Sequence, residues 1–190
     1  AFHLNGHLVN KCRLTENPAT ARLLECAQTC NNAHLEKSRG QWRIVGDPTE
    51  GALVVMARKA GLHGTYQRLH VNPFESVRKR MSVVVRRAGA AELILYVKGA
   101  LSETLGLCDR ILRDGTVRPI NESDRSQIRA ASDDLARQGL RILALAYRDD
   151  LKDSSDWSVD HAEQKLIFIG FTASSDPIRQ DVPEAIESCH

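Results

Sequence analysis

Apolar residues recur along the chain with two spacings, one typical of helices and one typical of strands. Between residues 18 and 35 the spacing is helical, with apolar side chains at Ala21, Leu24 and Ala27, which predicts a helix over this range. Residues 42–45 form a short run rich in β-forming side chains and are predicted to be a strand.

A helix-start signal follows this strand. Asp47 suits the N-cap position, Pro48 suits the first helical position, and Glu50 lies three residues after the cap, where it would complete a capping box. The apolar pattern then continues to Gly61, so a second helix is predicted to end there.

Two further β-rich runs, at 81–85 and 93–97, are predicted to form an antiparallel hairpin. A short helix up to Cys108 follows, and Asn121 is predicted to cap a helix that runs through Arg137. Beyond it the pattern predicts a strand over 140–147, an acidic loop over 148–164 and a strand over 166–171. Because hairpins and helices mix without strict alternation, the expected fold class is α+β, with a mainly antiparallel sheet flanked by helices.

Composition places the chain among ordinary globular proteins. It has 190 residues, of which 42% are hydrophobic and 26% charged, enough to bury a core. No apolar run approaches the ~18 residues of a membrane-spanning helix, so the domain itself is expected to lie outside the membrane. Five cysteines without a signal peptide favour reduced thiols in a cytosolic setting. Since the chain begins without Met, we expect it to be a piece of a longer protein.

Charge is unevenly distributed, although the net charge is only +2. Residues 66–100 contain seven basic and two acidic side chains, whereas residues 149–190 contain ten acidic and three basic ones. A positive segment of this kind can attract a phosphorylated small molecule, RNA or an acidic surface, or it can be a solvated hairpin. The charge pattern leaves these alternatives open.

The sequence contains no motif that identifies an enzyme by itself, such as a P-loop, a dinucleotide-binding glycine motif or a nucleophile elbow. Cys26, Cys30 and His34 recur every fourth residue, but on one straight helix they would span about 12 Å. That is too far for one zinc ion with bonds of about 2 Å. No metal site and no catalytic residue are therefore predicted.

Two stretches offer binding chemistry instead. Phe74 lies five residues before Lys79, and Lys98 at the end of a predicted strand is followed by Gly99, which lets backbone or ligand approach closely. A base can stack on an aromatic ring while ammonium groups meet phosphates. These residues favour binding over cleavage, with a plain structural hairpin as the alternative.

Four separated motifs resemble the nucleotide-binding (N) domain of P-type cation-transporting ATPases, most closely the bacterial calcium-pump-like type II group. They are GDPTEGAL at 46–53, FESVRKRMSV at 74–83, KGA at 98–100 and GLRILALAYRD at 139–149. A fifth stretch, DPIR at 176–179, resembles the hinge into the family's phosphorylation domain. The resemblance implies a nucleotide-binding domain over 1–172, and a return hinge with the truncated start of the phosphorylation domain over 173–190.

The resemblance also implies roles for single residues. Adenine would stack on Phe74, and the phosphates would lie toward the basic side chains. Because such a domain must release ADP in each cycle, a modest affinity is expected. Ser76 stands where the family often has arginine, which should weaken binding further. The full set of implied ligand-binding positions is Glu50, Phe74, Lys79, Lys98, Gly99, Arg141 and Leu143.

The family's phosphorylated aspartate and magnesium-binding aspartates belong to motifs that these 190 residues lack. The expected function is therefore to bind ATP, as Mg-ATP in the intact pump, and to present its γ-phosphate to an aspartate elsewhere in the polypeptide. The implied partners are the phosphorylation and actuator domains of the same polypeptide, at the cytoplasmic face of the cell membrane. As an isolated piece the chain is expected to be a monomer.

Two other functions remain open on the residues alone. The basic hairpin over 78–98 could bind nucleic acid, although only Phe74 and Tyr96 supply aromatic rings for base stacking, and nucleic acid is not the expected partner. Alternatively, the chain is a regulatory or interaction domain that has lost nucleotide binding, for which Ser76 is the main support.

Overall fold

A computed structural model describes residues 3–4, 7–8, 17–38, 40–62, 64–153 and 156–175. The helices in these ranges are α1 (Pro18–Thr29), α2 (Pro48–Lys59), α3 (Leu101–Gly106), α4 (Glu122–Arg137) and α5 (Val159–Ala162). The strands are β1 (His3–Leu4), β2 (His7–Leu8), β3 (His34–Ser38), β4 (Gln41–Val45), β5 (Tyr66–Glu75), β6 (Arg80–Arg87), β7 (Leu93–Gly99), β8 (Cys108–Arg113), β9 (Thr116–Pro119), β10 (Arg141–Leu151) and β11 (Leu166–Ser174).

Seven strands form one sheet in the order β5-β6-β7-β10-β11-β8-β9. Every neighbouring pair in it is antiparallel except β11 with β8, which is parallel. The pairs β1–β2 and β3–β4 are separate two-stranded antiparallel sheets. The predicted α+β class with a mainly antiparallel sheet is confirmed.

Helices cover both faces of the sheet. One face carries Val83, Tyr96 and Leu145 and packs against α1, whose Cys26 and Cys30 are fully buried. Helix α2 packs on α1 through a smaller apolar cluster, so α1 lies between α2 and the sheet. Alternation along the strands sends the intervening side chains to the opposite face.

That opposite face is the larger apolar layer. Val97 and Ala144 of the sheet pack there with Leu105 of α3 and Ala162 of α5, and Ile128 of α4 lies against the same cluster. Among the helices in the described ranges the longest has 16 residues, and none combines the length and apolarity needed to cross a membrane.

The predicted helix starts are present, with one difference. The Asp47 carboxylate accepts hydrogen bonds from the amides of Thr49 (2.8 Å) and Glu50 (3.1 Å), as an N-cap should. The predicted capping box at this helix is wrong, because the Glu50 carboxylate accepts from the loop after α1 instead. The Asn121 cap of α4 does have a full capping box, which it forms with Asp124.

Two predicted boundaries are wrong. The first helix does not reach residue 35 but ends at Thr29, because the Asn31 side chain bonds back to the Ala27 carbonyl and residues 34–38 pair with β4. The supposed acidic loop over 148–164 begins with the last residues of β10 and contains α5.

Strand β5 was not predicted at all, because its mostly exposed side chains and Pro73 do not give a β-type pattern. The predicted hinge at 176–179 lies outside the described residues, and the domain boundary at 172 stays a prediction.

Gly99, the last residue of β7, lies where the backbones are tightly packed. In the β6–β7 register it lies directly opposite Arg80. A Cβ atom on Gly99 would lie 2.6 Å from the Lys79 carbonyl oxygen and 2.9 Å from the Arg80 Cα, and closer still to the Arg80 Cβ. Only glycine therefore fits this position without moving backbone.

We expect Gly99→Ala to lower the free energy of unfolding by about 1–3 kcal/mol, the usual effect of overpacking. The matched control is Gly106→Ala at the end of α3, where a Cβ would meet nothing within 4 Å, so the change should be neutral or slightly stabilising. Urea unfolding of both variants checks the prediction, and equal stabilities would contradict it.

Candidate functional site

The antiparallel order of the sheet brings several chain segments to one of its ends. Strands β5, β7 and β11 finish there, and β6 and β10 begin there. The registers pair Glu75 with Arg80, and Gly99 with both Arg80 and Ala144. Phe74, Gly99 and Arg141, predicted from three separate motifs, therefore lie at the same end of the sheet.

An ion pair between the buried Lys98 and the half-buried Glu50 forms the centre of this end. Lys98 is only 5% exposed, and its ammonium donates to Glu50 Oε1 (2.9 Å) and Asn31 Oδ1 (2.8 Å). The other Glu50 oxygen accepts from the backbone amides of Asn32 (2.8 Å) and Ala33 (3.1 Å). Both charges are thus paired and hydrogen-bonded, which is the condition for burying them. The pair joins β7, α2 and the loop after α1.

The electrostatics of this pair follow from its contacts. Burial acts to raise the pKa of Glu50, but the hydrogen bond and charge of Lys98 and the two loop amides outweigh burial, so the pKa lies below its ordinary value. Burial raises the pKa of the Cys30 thiol to about 12, although the Lys98 charge acts to lower it. Cys30 is therefore protonated at neutral pH and acts as a packing residue.

The predicted Lys79 closes the turn between β5 and β6. It adopts a left-handed backbone (φ 50°), its amide donates to the Glu75 carbonyl (2.7 Å), and its carbonyl accepts from the Ala100 amide (2.9 Å). Its exposed ammonium lies 2.8 Å from Glu103 on α3. This hydrogen bond, with one from Ser102, lowers the pKa of Glu103 to about 2.

Phe74 is a large apolar side chain that stays 59% exposed. It lies near the end of β5, where the register with β6 shifts between Asn72 and Glu75. Val77, in the following turn, is 90% exposed. An exposed ring on a sheet edge has one face available for stacking. Unlike Glu50 and Lys98, Phe74 has no polar group to tie it to the other predicted residues.

Arg141 and Leu143 lie at the start of β10, opposite Ser174 and Thr172 of β11. Arg141 is exposed, and its guanidinium donates to the Thr49 hydroxyl in the first turn of α2. Leu143 is half-buried. Arg141 therefore lies beside the helix turn that carries Glu50.

Sequence reasoning missed several partners of these residues. Asn31 and Glu103 hold the two lysines, and Glu163 holds the arginines that flank Lys79. None of these belongs to a motif, and their side chains are brought to the site from distant parts of the chain. A polar residue just after a helix end, such as Asn31, is only a weak sequence indication of a site residue.

The helix face considered for Cys26, Cys30 and His34 does not form, because His34 lies in β3 beyond the end of α1. Within the ranges that the structure describes, no group of three or more His, Cys, Asp and Glu side chains is placed to hold a metal ion. Cys26 and Cys30 instead face backbone carbonyls of the sheet.

The geometry defines a class of protein. It is an α+β domain in which ionisable residues from distant segments meet at one end of the sheet. A family model described as P-type ATPase, cytoplasmic domain N, matches residues 19–181, which is most of the chain. The chain belongs to this family.

Relatives of known name are consistent with this assignment. A calcium-transporting ATPase of Bacillus subtilis is 33% identical over 194 aligned positions, covering 100% of this chain and 21% of the relative. The cation-transporting ATPase pma1 of Synechocystis is 37% identical, covering 88% and 19%, and the calcium-transporting ATPase PAT1 of Dictyostelium discoideum is 37% identical, covering 80% and 14%. The chain thus spans about a fifth or less of the length of these relatives.

The effect of replacing Glu50 on the free energy of unfolding should depend on pH, because Glu50 belongs to an ion pair. The folded-state pKa of Glu50 is depressed, so its contribution to stability is present above the unfolded-state pKa of about 4.3 and is lost as pH falls through the folded value. We expect Glu50→Gln to cost about 1.5–3 kcal/mol at pH 7, the usual worth of a hydrogen bond to a charged group.

The difference between wild type and Glu50→Gln should shrink as pH falls toward about 3, measured by urea unfolding at several pH values. Glu92→Gln, in the exposed β6–β7 turn, is the control and should change stability little at any pH. A Glu50→Gln penalty independent of pH would show that charge is not its source.

Proposed function

We propose that this chain is the ATP-binding domain of a P-type cation-transporting ATPase, and that ATP binds at the end of the sheet that carries Phe74, Gly99 and Arg141. The observation that carries the proposal is that four motifs, far apart in sequence, supply side chains to this one end. The sheet alone does not require that residues of these four motifs meet at the same end.

The residues present fit a nucleotide. The exposed Phe74 ring offers a face on which adenine can stack, and such stacking is worth about 1–3 kcal/mol per base. The exposed Arg141 side chain supplies positive charge for the phosphates, and the exposed Lys79 ammonium can add to it by exchanging its Glu103 partner for a phosphate oxygen. The Lys98 ammonium already donates hydrogen bonds to Glu50 and Asn31. We therefore assign the Lys98–Glu50 ion pair to the back of the site. Gly99 and Leu143 line it with small or apolar surface.

In the whole pump, the role of these residues is to bind and orient ATP. Its γ-phosphate would pass to an aspartate of the same polypeptide outside this chain, so transfer would depend on domain closure. The phosphorylation and actuator domains are the partners we infer, and magnesium would accompany the nucleotide. Two of the relatives above are named for calcium transport, which makes calcium the first ion to test.

The charges of the structure argue against nucleic acid as the ligand. Of the seven basic side chains in residues 66–100, six pair with a carboxylate and Arg68 bonds the Asn31 carbonyl. The six pairs are Arg78 and Arg80 with Glu163, Lys79 with Glu103, Arg86 with Asp153, Arg87 with Glu25, and Lys98 with Glu50. A segment neutralised in this way lacks the continuous positive surface that a phosphate backbone needs.

An NMR titration with ATP tests the proposal. We expect saturable shifts near Phe74, Lys79 and Gly99, with a dissociation constant of roughly 0.1–1 mM, corresponding to about 4–5.5 kcal/mol. Phe74→Ala should weaken binding at least about fivefold because adenine loses its stacking partner. The shifts should change little when magnesium is omitted, since the described ranges contain no group of three or more His, Cys, Asp and Glu side chains placed to hold a metal ion.

Val71→Ala is the matched control, because Val71 is also an exposed apolar residue of β5 and should leave affinity unchanged. Silence in the wild type at several millimolar ATP would overturn the proposal and favour a regulatory domain that does not bind nucleotide. Binding that survives Phe74→Ala would overturn the assignment of the adenine site.

A further inference from the structure

A fully buried carboxylate lies beside the proposed nucleotide site but outside its motifs. Glu163 follows the last residue of α5 and precedes β11, and its side chain is 0% exposed. Its amide donates to the Val159 carbonyl (3.1 Å), which fixes its backbone. An ionised carboxylate in such a position is very costly unless it is paired and hydrogen-bonded.

Two arginines that flank Lys79 in sequence satisfy Glu163. Arg78 Nη1 donates to both Glu163 oxygens, at 2.8 and 2.9 Å, and Arg80 Nε donates to one of them at 2.5 Å. Gly99 contributes indirectly, because a side chain there would occupy the space that Arg80 takes.

The Arg78 guanidinium also forms a hydrogen bond with the backbone next to Phe74. Its Nη2 donates to the Pro73 carbonyl (2.6 Å) and its Nε to the Glu75 carboxylate (3.0 Å). The Arg78 carbonyl in turn accepts from Arg80 Nη1 (3.1 Å). The two arginines therefore clamp the turn that separates Phe74 from Lys79, and Glu163 is the group that holds both of them.

The segment that carries Glu163 is itself anchored to the sheet. The Asn72 side chain of β5 donates to the Trp157 carbonyl (2.9 Å), and Arg148 of β10 donates to the His161 carbonyl (2.9 Å). The segment that carries Glu163 is thus hydrogen-bonded to β5 and β10, which lie on either side of β6 and β7. These contacts limit the motion of the 73–80 turn relative to the sheet.

We propose that Glu163 is a positioning residue of the nucleotide site. By fixing Arg78 and Arg80 it holds the 73–80 turn in the conformation that presents the Phe74 ring and the Lys79 ammonium together. Pre-organisation of this kind raises affinity because ordering is not required on binding. The inference rests on the proposed ATP-binding function and adds to it a residue that makes no contact with the ligand.

The chain offers a matched control in a second buried carboxylate. The Asp124 side chain is 4% exposed, and Arg118 binds it with two hydrogen bonds, at 2.6 and 2.7 Å, while Arg113 lies 3.3 Å away. This cluster joins α4 to the β8–β9 hairpin, which lies at the other edge of the sheet from β5. Like the Glu163 cluster it pairs a carboxylate with two arginines, but it has a different location, and Asp124 also completes the capping box of α4.

The experiment compares Glu163→Gln with Asp124→Asn in three measurements on the whole chain. These are urea unfolding, backbone amide shifts of the ligand-free protein, and ATP affinity by NMR titration at a temperature where both variants are folded. We expect both variants to be destabilised. Only Glu163→Gln should shift the amides of residues 74–80 without ligand and weaken ATP binding at least about fivefold, whereas Asp124→Asn should keep wild-type affinity within about twofold.

A third variant keeps the test decisive if Glu163→Gln fails to fold. Arg78→Lys retains the positive charge but loses the planar fork that binds Glu163 and Pro73 at once, and it should also weaken ATP binding at least about fivefold. Wild-type affinity in Glu163→Gln or, if that variant is unfolded, in Arg78→Lys would overturn the role of Glu163, as would an equal loss in Asp124→Asn. Failure of the wild type itself to bind ATP would instead defeat the proposed function.

Discussion

The ion pair between Lys98 and Glu50 is the interaction on which the arrangement of this domain depends. It lies where β7, α2 and the loop after α1 meet, with Lys98 buried and Glu50 half-buried, and each of its charges has hydrogen-bond partners. Since breaking a buried pair leaves an uncompensated charge, the pair sets where α2 can lie relative to the sheet. Arg141 reaches the first turn of the same helix. The position of α2, and with it one side of the proposed nucleotide site, follows from this contact.

Acidic residues play the same role elsewhere in the domain. Glu163 neutralises Arg78 and Arg80, and Glu25 accepts from Tyr96 (2.7 Å) and from Arg87. Glu163 and Asp153, from the acidic part of the chain that the structure describes, contact the basic middle part in the fold, although the two look like separate charged regions in the sequence. This leaves exposed Arg141, and exposed Lys79 with its partner Glu103 on α3, at the proposed site in a largely neutralised surrounding, which suits a small anionic ligand better than a long polyanion.

Local sequence signals predicted the elements whose stability is local. The caps of α2 and α4, the β6–β7 hairpin and the fold class all follow from residues that contact each other within one element or one turn. The predictions failed where a distant contact competes with a local one. Glu50 completes no capping box because the loop amides and Lys98 bind it more fully. The first helix is shorter than its apolar spacing suggested because residues 34–38 pair with β4.

By itself the sequence determined the family, the α+β class and the set of motif residues, since these depend on residue identity and on short-range spacing. Only the tertiary structure decided which charges meet. Asn31, Glu103 and Glu163 hold Lys98, Lys79 and the two arginines across separations of 24 to 85 residues, and no spacing rule links such pairs. The physical reason is that a buried charge must be matched wherever the folded chain places it, so its partner is chosen by sheet order and helix packing and not by nearness along the sequence.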